Sequence, residues 1–484
     1  MTTFLLPSEP IDSIDAYLAT GVGGLGIRRA HELGPTATIE LVKRAGLRGR
    51  GGGGFPTGQK WAGIATQTGS AHYLVCNGAE GEPGTFKDRA LLRANPYQLV
   101  EGVAIAAFAV GAIEAFICLK ASFVREIEAL TRAVQEFQSA ELCADCKVTI
   151  VAGPEEYLFG EEKAMLEVIE GNEPLPRWLP PHIHGLFATA PQLGWQPHSA
   201  EPGAPRGASG SNPTLVNNVE TLSNVPHILV RGADWFRSMG TAESPGTIVT
   251  TVVGDVIAPD VGEVEMGTPL RAVIDAVGSG LAPGRTVKAV FSGVANAVVT
   301  ADHLDVPVSF EGFAAIGSGM GSAGFIVYDD TTCMVDTAYR FSRFLSVESC
   351  GQCPPCKLGS SAITEHLERI ELGEGNAGDL DAITGWLSHV TDGNRCYLAV
   401  EEQIMVTSIL RAFPGEFTEH IDLASCPRPR RLPIPKLVDL ADGRATYDES
   451  FWRKRPDWTY ADDDHADDDH LDDDHLDDDQ TRDR

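Results

Sequence analysis

The sequence predicts an α/β protein in which a domain with a largely parallel sheet is followed by a small β-rich module and then a helical bundle. Three observations predict it. Buried-strand and helix patterns alternate from His72 to about Val230, short β-branched runs replace them from Gly246, and amphipathic helical periodicity takes over after Phe325.

In chain order, residues 1–45 read as an N-terminal helical segment, with apolar positions at Ile14, Tyr17 and Leu18 and again at Ile39, Leu41 and Val42. The periodicity breaks at GLRGRGGGGFPTG (Gly46 to Gly58), where seven glycines and one proline in thirteen residues require a loop. HYLVCNG from His72 reads as a buried strand ending in turn residues, and LVEGVAIAAFAVGAIEAFICL from Leu99 as a helix running into another strand. This α/β domain is expected over residues 46–240. TIVTTVVGDV and VKAVFSGV, around the short helix PLRAVIDAV, predict the β-rich module over 241–320. FIVYDD and MVDTAYRFSRFLSV open a helical unit over 321–425. From Cys426, Pro-rich sequence gives way to ADDDH, ADDDH, LDDDH, LDDDQ, so 426–484 is expected to be a disordered tail.

Length and composition bound the function. A chain of 484 residues, 43% hydrophobic and 22% charged, fits a soluble protein of two to four compact units. Its longest apolar stretches, such as Val103 to Ala112, fall short of the roughly 18 residues that span a bilayer, and MTTFLLPSEPIDSID lacks the layout of a signal peptide. A cytoplasmic location is expected, with any membrane association made through partner subunits. The net charge of −30 argues against nucleic-acid binding. Residues 461–484 hold 13 aspartates and 2 arginines of that balance; the DDDH repeats suit a solvated spacer or a contact for a basic partner, although Asp and His also suit divalent metal.

Ten cysteines in a reducing compartment point to metal ligands or redox chemistry before disulfides. ESCGQCPPCKLG places thiols at Cys350, Cys353 and Cys356, a C-x2-C-x2-C run that lets one loop wrap three corners of a cubane, and Cys396 is the candidate fourth ligand of a [4Fe-4S] cluster. Four thiolates also make a closed zinc site, but zinc knuckles more often come as two C-x2-C pairs than as a triple and a single. Cys143 and Cys146 form a lone C-x-x-C that reads as structural, and Cys76, Cys118, Cys333 and Cys426 carry no ligand spacing.

GLRGRGGGGFPTGQKW brings backbone amides and the cations Arg48, Arg50 and Lys60 together, as a phosphate or nucleotide site requires, without being a P-loop or a G-x-G-x-x-G. CNGAEGEPGTFKDR from Cys76, EEYLFGEEKAMLEVIEG from Glu155 and LVNNVETLSNVP from Leu215 cluster Asn, Glu and Gly at the ends of predicted strands, where ligand crevices of open α/β sheets lie.

With these segments in one order, residues 12 to 420 resemble the flavin-carrying, NADH-oxidising subunit of respiratory complex I and its relatives in NAD-linked hydrogenases and formate dehydrogenases. The resemblance implies a Rossmann-like FMN-binding domain, a β-grasp-like middle module and a helical [4Fe-4S] domain. It implies FMN held by Gly49, Arg50, Gly52 and Lys60 in the loop, by Asn77 and Glu80, by Tyr157, Gly160, Glu161 and Glu162, and by Val216, Asn217, Asn218 and Thr221, with Phe55 a retained cofactor-binding position on the nicotinamide side. Glu82 and Glu162 take the catalytic positions and NAD(H) or NADP(H) is the substrate. One cluster site implies that electrons leave to other iron-sulfur subunits, among them a thioredoxin-like [2Fe-2S] protein, in a hetero-oligomer.

Four positions depart from the family pattern: Ala79 replaces an Asp of CNADE, Gly63 a phenylalanine after KW, and Leu179 and His182 a lysine and a phenylalanine of PRLKPPF. The last three help hold NADH in the family. Two readings follow, an NAD(P)H-oxidising module and an electron-transfer subunit whose flavin exchanges electrons with another redox protein instead.

Overall fold

The computed structural model describes residues 3–67, 71–143, 146–189, 210–428 and 434–461; the DDDH repeats lie outside the described residues. The first sheet is fully parallel, in the order β3-β2-β1-β4, from β1 (His72–Asn77), β2 (Ala112–Lys120), β3 (Lys147–Gly153) and β4 (Thr214–Asn218). Alternation decides which residues each face buries. Leu74, Cys76, Ile117 and Leu119 join the larger core, while Tyr73, Val75, Phe116 and Cys118 pack beneath Phe159 and Met165. Because both faces are covered, the strands are almost wholly apolar, as parallel sheets require.

The helix Pro96–Val110 shows how local signals set an element. Asn95 caps it by accepting from the Gln98 N–H, Pro96 sits where no amide partner is needed, and Gly111 ends it at φ 67°. The helix fills the larger core, which also holds the N-terminal helices Leu25–Leu33 and Pro35–Ala45 and both Cys143 and Cys146.

The second sheet is mixed, in the order β6-β5-β9-β7-β8, from β5 (Thr247–Gly254), β6 (Asp260–Glu265), β7 (Val287–Ser292), β8 (Val299–Thr300) and β9 (Gly324–Asp329). Only β5 and β9 pair in parallel. The expected boundary at 320/321 is therefore corrected: β9 is the central strand of this sheet, so the middle unit runs through Asp329. FIVYDD carries no local mark of its partner, because pairing with β5 and β7 is set by contacts distant in sequence.

Val252, Val264 and Val290 face the helix Leu270–Gly278, whereas Val253, Phe291 and Ile326 share a core with five C-terminal helices. Those helices are Met334–Glu348, Pro354–Glu371, Ala377–Leu387, Leu398–Ala412 and Pro414–Leu423.

A second correction concerns the tail. Residues 434–461 form a hairpin of β10 (Leu437–Ala441) and β11 (Arg444–Tyr447) and a short turn, Glu449–Arg453. Phe451 packs on Phe344 at 5.2 Å, and the buried Lys454 ammonium pairs with Glu348 at 2.9 Å. A few apolar anchors and one buried ion pair suffice to order a segment whose composition reads as linker. Among the described residues no helix is long and apolar enough to cross a membrane.

Candidate functional site

Parallel pairing of β1 with β4 sets Asn77 beside Asn218 and Cys76 beside Asn217, at the carboxyl ends of strands where the sheet order reverses. A crevice at such a switch point is where open α/β sheets bind ligands. The glycine loop folds against it as a narrow hairpin, with the Gly49 amide donating to the Phe55 carbonyl at 2.9 Å. Gly52 and Gly54 hold φ values of 119° and 59°, and a Cβ on Gly51 would lie 3.0 Å from the Asn218 Cβ. The glycines are thus needed for conformation at two positions and for close approach to β4 at a third.

The loop's cations divide. Arg50 is fully buried: its guanidinium donates to the carbonyls of Arg48, Pro245 and Thr247, and its backbone N–H donates to the Thr221 hydroxyl at 2.8 Å. Burial lowers the Arg50 pKa to about 10. Arg48 donates to the Gly54 carbonyl and lies over the Phe310 ring. Both arginines therefore brace the loop. Lys60 remains partly exposed and pairs with Glu162 at 2.5 Å.

Beneath the crevice lies a buried charge network. Lys87 pairs with Asp88 at 2.7 Å and with Glu220 at 3.0 Å, and Asn218 donates to Asp88 while its carbonyl oxygen accepts from the Glu220 N–H. Glu80 pairs with Arg89 at 3.1 Å, and Arg89 reaches the carbonyls of Leu437 and Val438 in the C-terminal hairpin. Asn217 accepts from the Trp61 indole at 2.7 Å, and Val216 is buried in β4. Lys87, Asp88, Arg89 and Glu220 were not singled out from the sequence; charged residues inside TFKDR and VETL, on either side of apolar strands, are the signal that could have found them.

Tyr157–Gly160 is a single turn of 3-10 helix between two sites. On one side the Gly160 carbonyl accepts from Asn77 at 2.7 Å, and Glu161 caps the helix Glu162–Ile169. On the other, Leu158 lines a cavity together with Cys350, Cys353, Cys356 and Cys396. Lys163 donates to the Arg395 carbonyl, next to Cys396. The Tyr157 hydroxyl bonds both Glu82, at 2.5 Å, and Glu401, at 3.2 Å. Burial raises the pKa of each carboxyl, and for Glu401 the charge of Glu82 raises it further. Glu401 was missed; an acid pair in the apolar helix LAVEEQIMV is its trace in the sequence.

Cys350, Cys353 and Cys356 line the same cavity as Cys396. Cys353 stands at the N-cap position of the helix Pro354–Glu371 without a side-chain capping bond, and Cys356 sits in its first turn, where the positive end of the helix favours negative charge. Burial pushes the Cys356 thiol up to about 11 and raises Cys396 as well, so both stay protonated until a metal replaces their protons. All four sulfur-bearing side chains line one cavity. Tetrahedral zinc, with Zn–S near 2.3 Å, needs sulfurs about 3.8 Å apart, whereas a cubane spreads its thiolates over four irons. The donor set fits the cluster, and the glycine loop beside Asn77 and Asn218 fits a phosphate-bearing flavin.

Of the departing positions, Ala79 is buried in the smaller sheet core, and Gly63 and His182 meet through Gln67. Gly63 is exposed, with nothing within 4 Å of an added Cβ, and the Gln67 amide donates to the carbonyls of both Gly63 and His182. Trp178 is 45% exposed and lies against the Arg395 guanidinium, Phe55 is 56% exposed, and Leu179 is half-buried.

The chain is similar to known proteins over most of its length. The family described as Nuo51 FMN-binding domain matches residues 42–227, and the NADH-ubiquinone oxidoreductase-F iron-sulfur binding region matches 336–420. The chain is 38% identical over 433 residues to an NADH-quinone oxidoreductase subunit of Rhizobium meliloti, covering 86% of this chain and 97% of that one. It is 35% identical to the NADP-reducing hydrogenase subunit HndC of Solidesulfovibrio fructosivorans, covering 86% and 82%. A solved NAD+-reducing [NiFe]-hydrogenase in its H2-reduced state aligns with a TM-score of 0.71 at 31% identity, over 87% of this chain and 68% of that one. The chain therefore belongs to the family of NADH-quinone oxidoreductase subunits whose cofactors are FMN and a [4Fe-4S] cluster.

Proposed function

We propose that this chain is the flavin-bearing module through which electrons from NAD(P)H come into a larger redox complex and leave by the cluster. The observation that carries the reading is the Tyr157–Gly160 turn, which contacts Asn77 at the flavin crevice and lines the cluster cavity with Leu158. FMN, when bound, converts between the two-electron hydride of a nicotinamide and the single electrons that a [4Fe-4S] cluster accepts. The chain supplies position and charge. Gly49, Gly52 and Lys60 hold the phosphate; Asn77, Asn217 and Asn218 shape the crevice; Arg50, Glu80 and Thr221 keep loop and strand ends in place from below. Glu82 and Glu401 converge on the Tyr157 hydroxyl, and Glu162 with Lys60 sets the charge at the crevice mouth. Cys350, Cys353, Cys356 and Cys396 hold the cluster.

The units of this reading are a Rossmann-like FMN domain, a β-grasp-like module ending at Asp329, and a helical cluster domain. The relatives' names as subunits support a hetero-oligomer; in this reading its partners are a thioredoxin-like [2Fe-2S] protein and a larger iron-sulfur subunit, with membrane association through them.

A second reading rests on the departing positions, where Gly63 and Leu179 offer neither an aromatic face nor a cation; here the flavin exchanges electrons with another redox protein. Loss of an aromatic platform costs about 1 to 3 kcal/mol of stacking. Anaerobic addition of NADH or NADPH separates the two: bleaching of bound flavin supports the first, and unchanged flavin absorbance at millimolar nicotinamide selects the second. Gly63→Phe with Leu179→Lys then restores bleaching at lower nicotinamide if these positions are the cause.

A further inference from the structure

Three residues with no spacing relation in the sequence meet behind the cluster domain. Cys333, His420 and Cys426 each place one ligand atom within 4.8 Å of the other two. Cys333 and His420 are fully buried and Cys426 is half-buried. They come from the start of the helix Met334–Glu348, the end of the helix Pro414–Leu423, and the first residues after it. The His420 ring fixes its own tautomer: Nδ1 lies 2.7 Å from the Glu416 carbonyl, which can only accept, so Nδ1 carries the proton and Nε2 presents a lone pair. That Nε2 lies 3.3 Å from the Cys333 sulfur. A carbonyl that orients a histidine through its other nitrogen is the usual outer support of a metal-ligating imidazole.

We propose that Cys333, His420 and Cys426 form a second metal site that binds one zinc ion. Two thiolates and an imidazole within this radius suit a borderline-soft, tetrahedral ion with Zn–S near 2.3 Å and Zn–N near 2.0 Å. Binding releases the two thiol protons to solvent. Two thiolates then neutralise the ion, so the buried site carries no net charge. The Cys333 sulfur already accepts from the Asp336 N–H at 3.4 Å at a helix start, where negative charge is favoured. Water occupies the fourth position on the side of half-buried Cys426. The ion pins the helix that leads to Cys350 to the helix Pro414–Leu423 and to the start of the C-terminal arm.

The test uses the full chain, purified with its flavin and cluster. Metal analysis is expected to give about one zinc per chain beside the cluster iron. Cys426→Ser and His420→Ala lower zinc at least tenfold and leave iron and flavin unchanged. Zinc-edge X-ray absorption on the unaltered protein needs no variant and is expected to show two sulfurs and one nitrogen. The proposal is overturned by protein that neither contains zinc nor takes it up when zinc ion is added, by zinc with no sulfur neighbour, by variants that keep their zinc, or by a Cys333–Cys426 disulfide in protein prepared without oxygen.

Discussion

His227 is buried between Phe4 and Gln98, with its Nε2 3.2 Å from the Gln98 side-chain oxygen, and burial pulls its pKa down to about 3. Unfolded histidine titrates near 6.5, so between these values the unfolded chain binds a proton that the folded chain does not. The contribution to stability is therefore full above about pH 6.5 and is lost as pH falls toward 3, at about 1.4 kcal/mol per unit. Thermal or denaturant unfolding at several pH values should show His227→Leu with a shallower loss than the parent below pH 6.5; parallel curves would show that the ring is protonated in the folded state. Gly54 gives a second test. A Cβ there would lie 2.5 Å from the Phe310 ring, at φ 59°, so Gly54→Ala must shift the loop or the ring. Left-handed backbone alone costs about 1 to 2 kcal/mol for a residue with a Cβ. Flavin content should fall at least several-fold while cluster iron stays constant, and full flavin retention would mean that the loop does not carry the phosphate.

Among elements, the C-terminal arm ties the two sites together. Glu348, at the end of the helix that leads to Cys350, accepts from the Tyr157 N–H at 3.0 Å and from Lys454 of the arm at 2.9 Å. Both charges are buried, so removing one leaves the other uncompensated, at a cost of about 3 to 5 kcal/mol. Lys454→Met should destabilise by that order, and adding Glu348→Gln should recover much of the loss. Additive effects in the double-variant cycle would show no coupling. Elements were unevenly legible in the sequence. The parallel sheet was read from continuous apolar runs and the cysteine loop from its spacing, because each signal is local. Strand β9 and the arm were misassigned because their order comes from partners far along the chain: β5 and β7 for one, Glu348, Phe344 and Arg89 for the other. For the same reason Arg50 read as a phosphate ligand, whereas its guanidinium holds the loop to β5 through the Thr247 carbonyl. Glu401 and the Lys87–Glu220 pair left only the faint trace of charge within apolar sequence.

At the scale of the molecule, the sheet crevice and the helical cluster unit are joined by the Tyr157–Gly160 turn, and in the proposed function this continuity is the electron path between the two sites. The measurement that tests the path most directly is a rapid-freeze experiment on the anaerobic, flavin- and cluster-loaded chain mixed with NADH, with NADPH in parallel. Flavin absorbance and the paramagnetic signal of the reduced cluster are followed together. Bleaching of the flavin followed by appearance of the cluster signal is predicted, with bleaching alone in Cys396→Ser. Flavin that bleaches while an intact cluster stays oxidised would contradict the account.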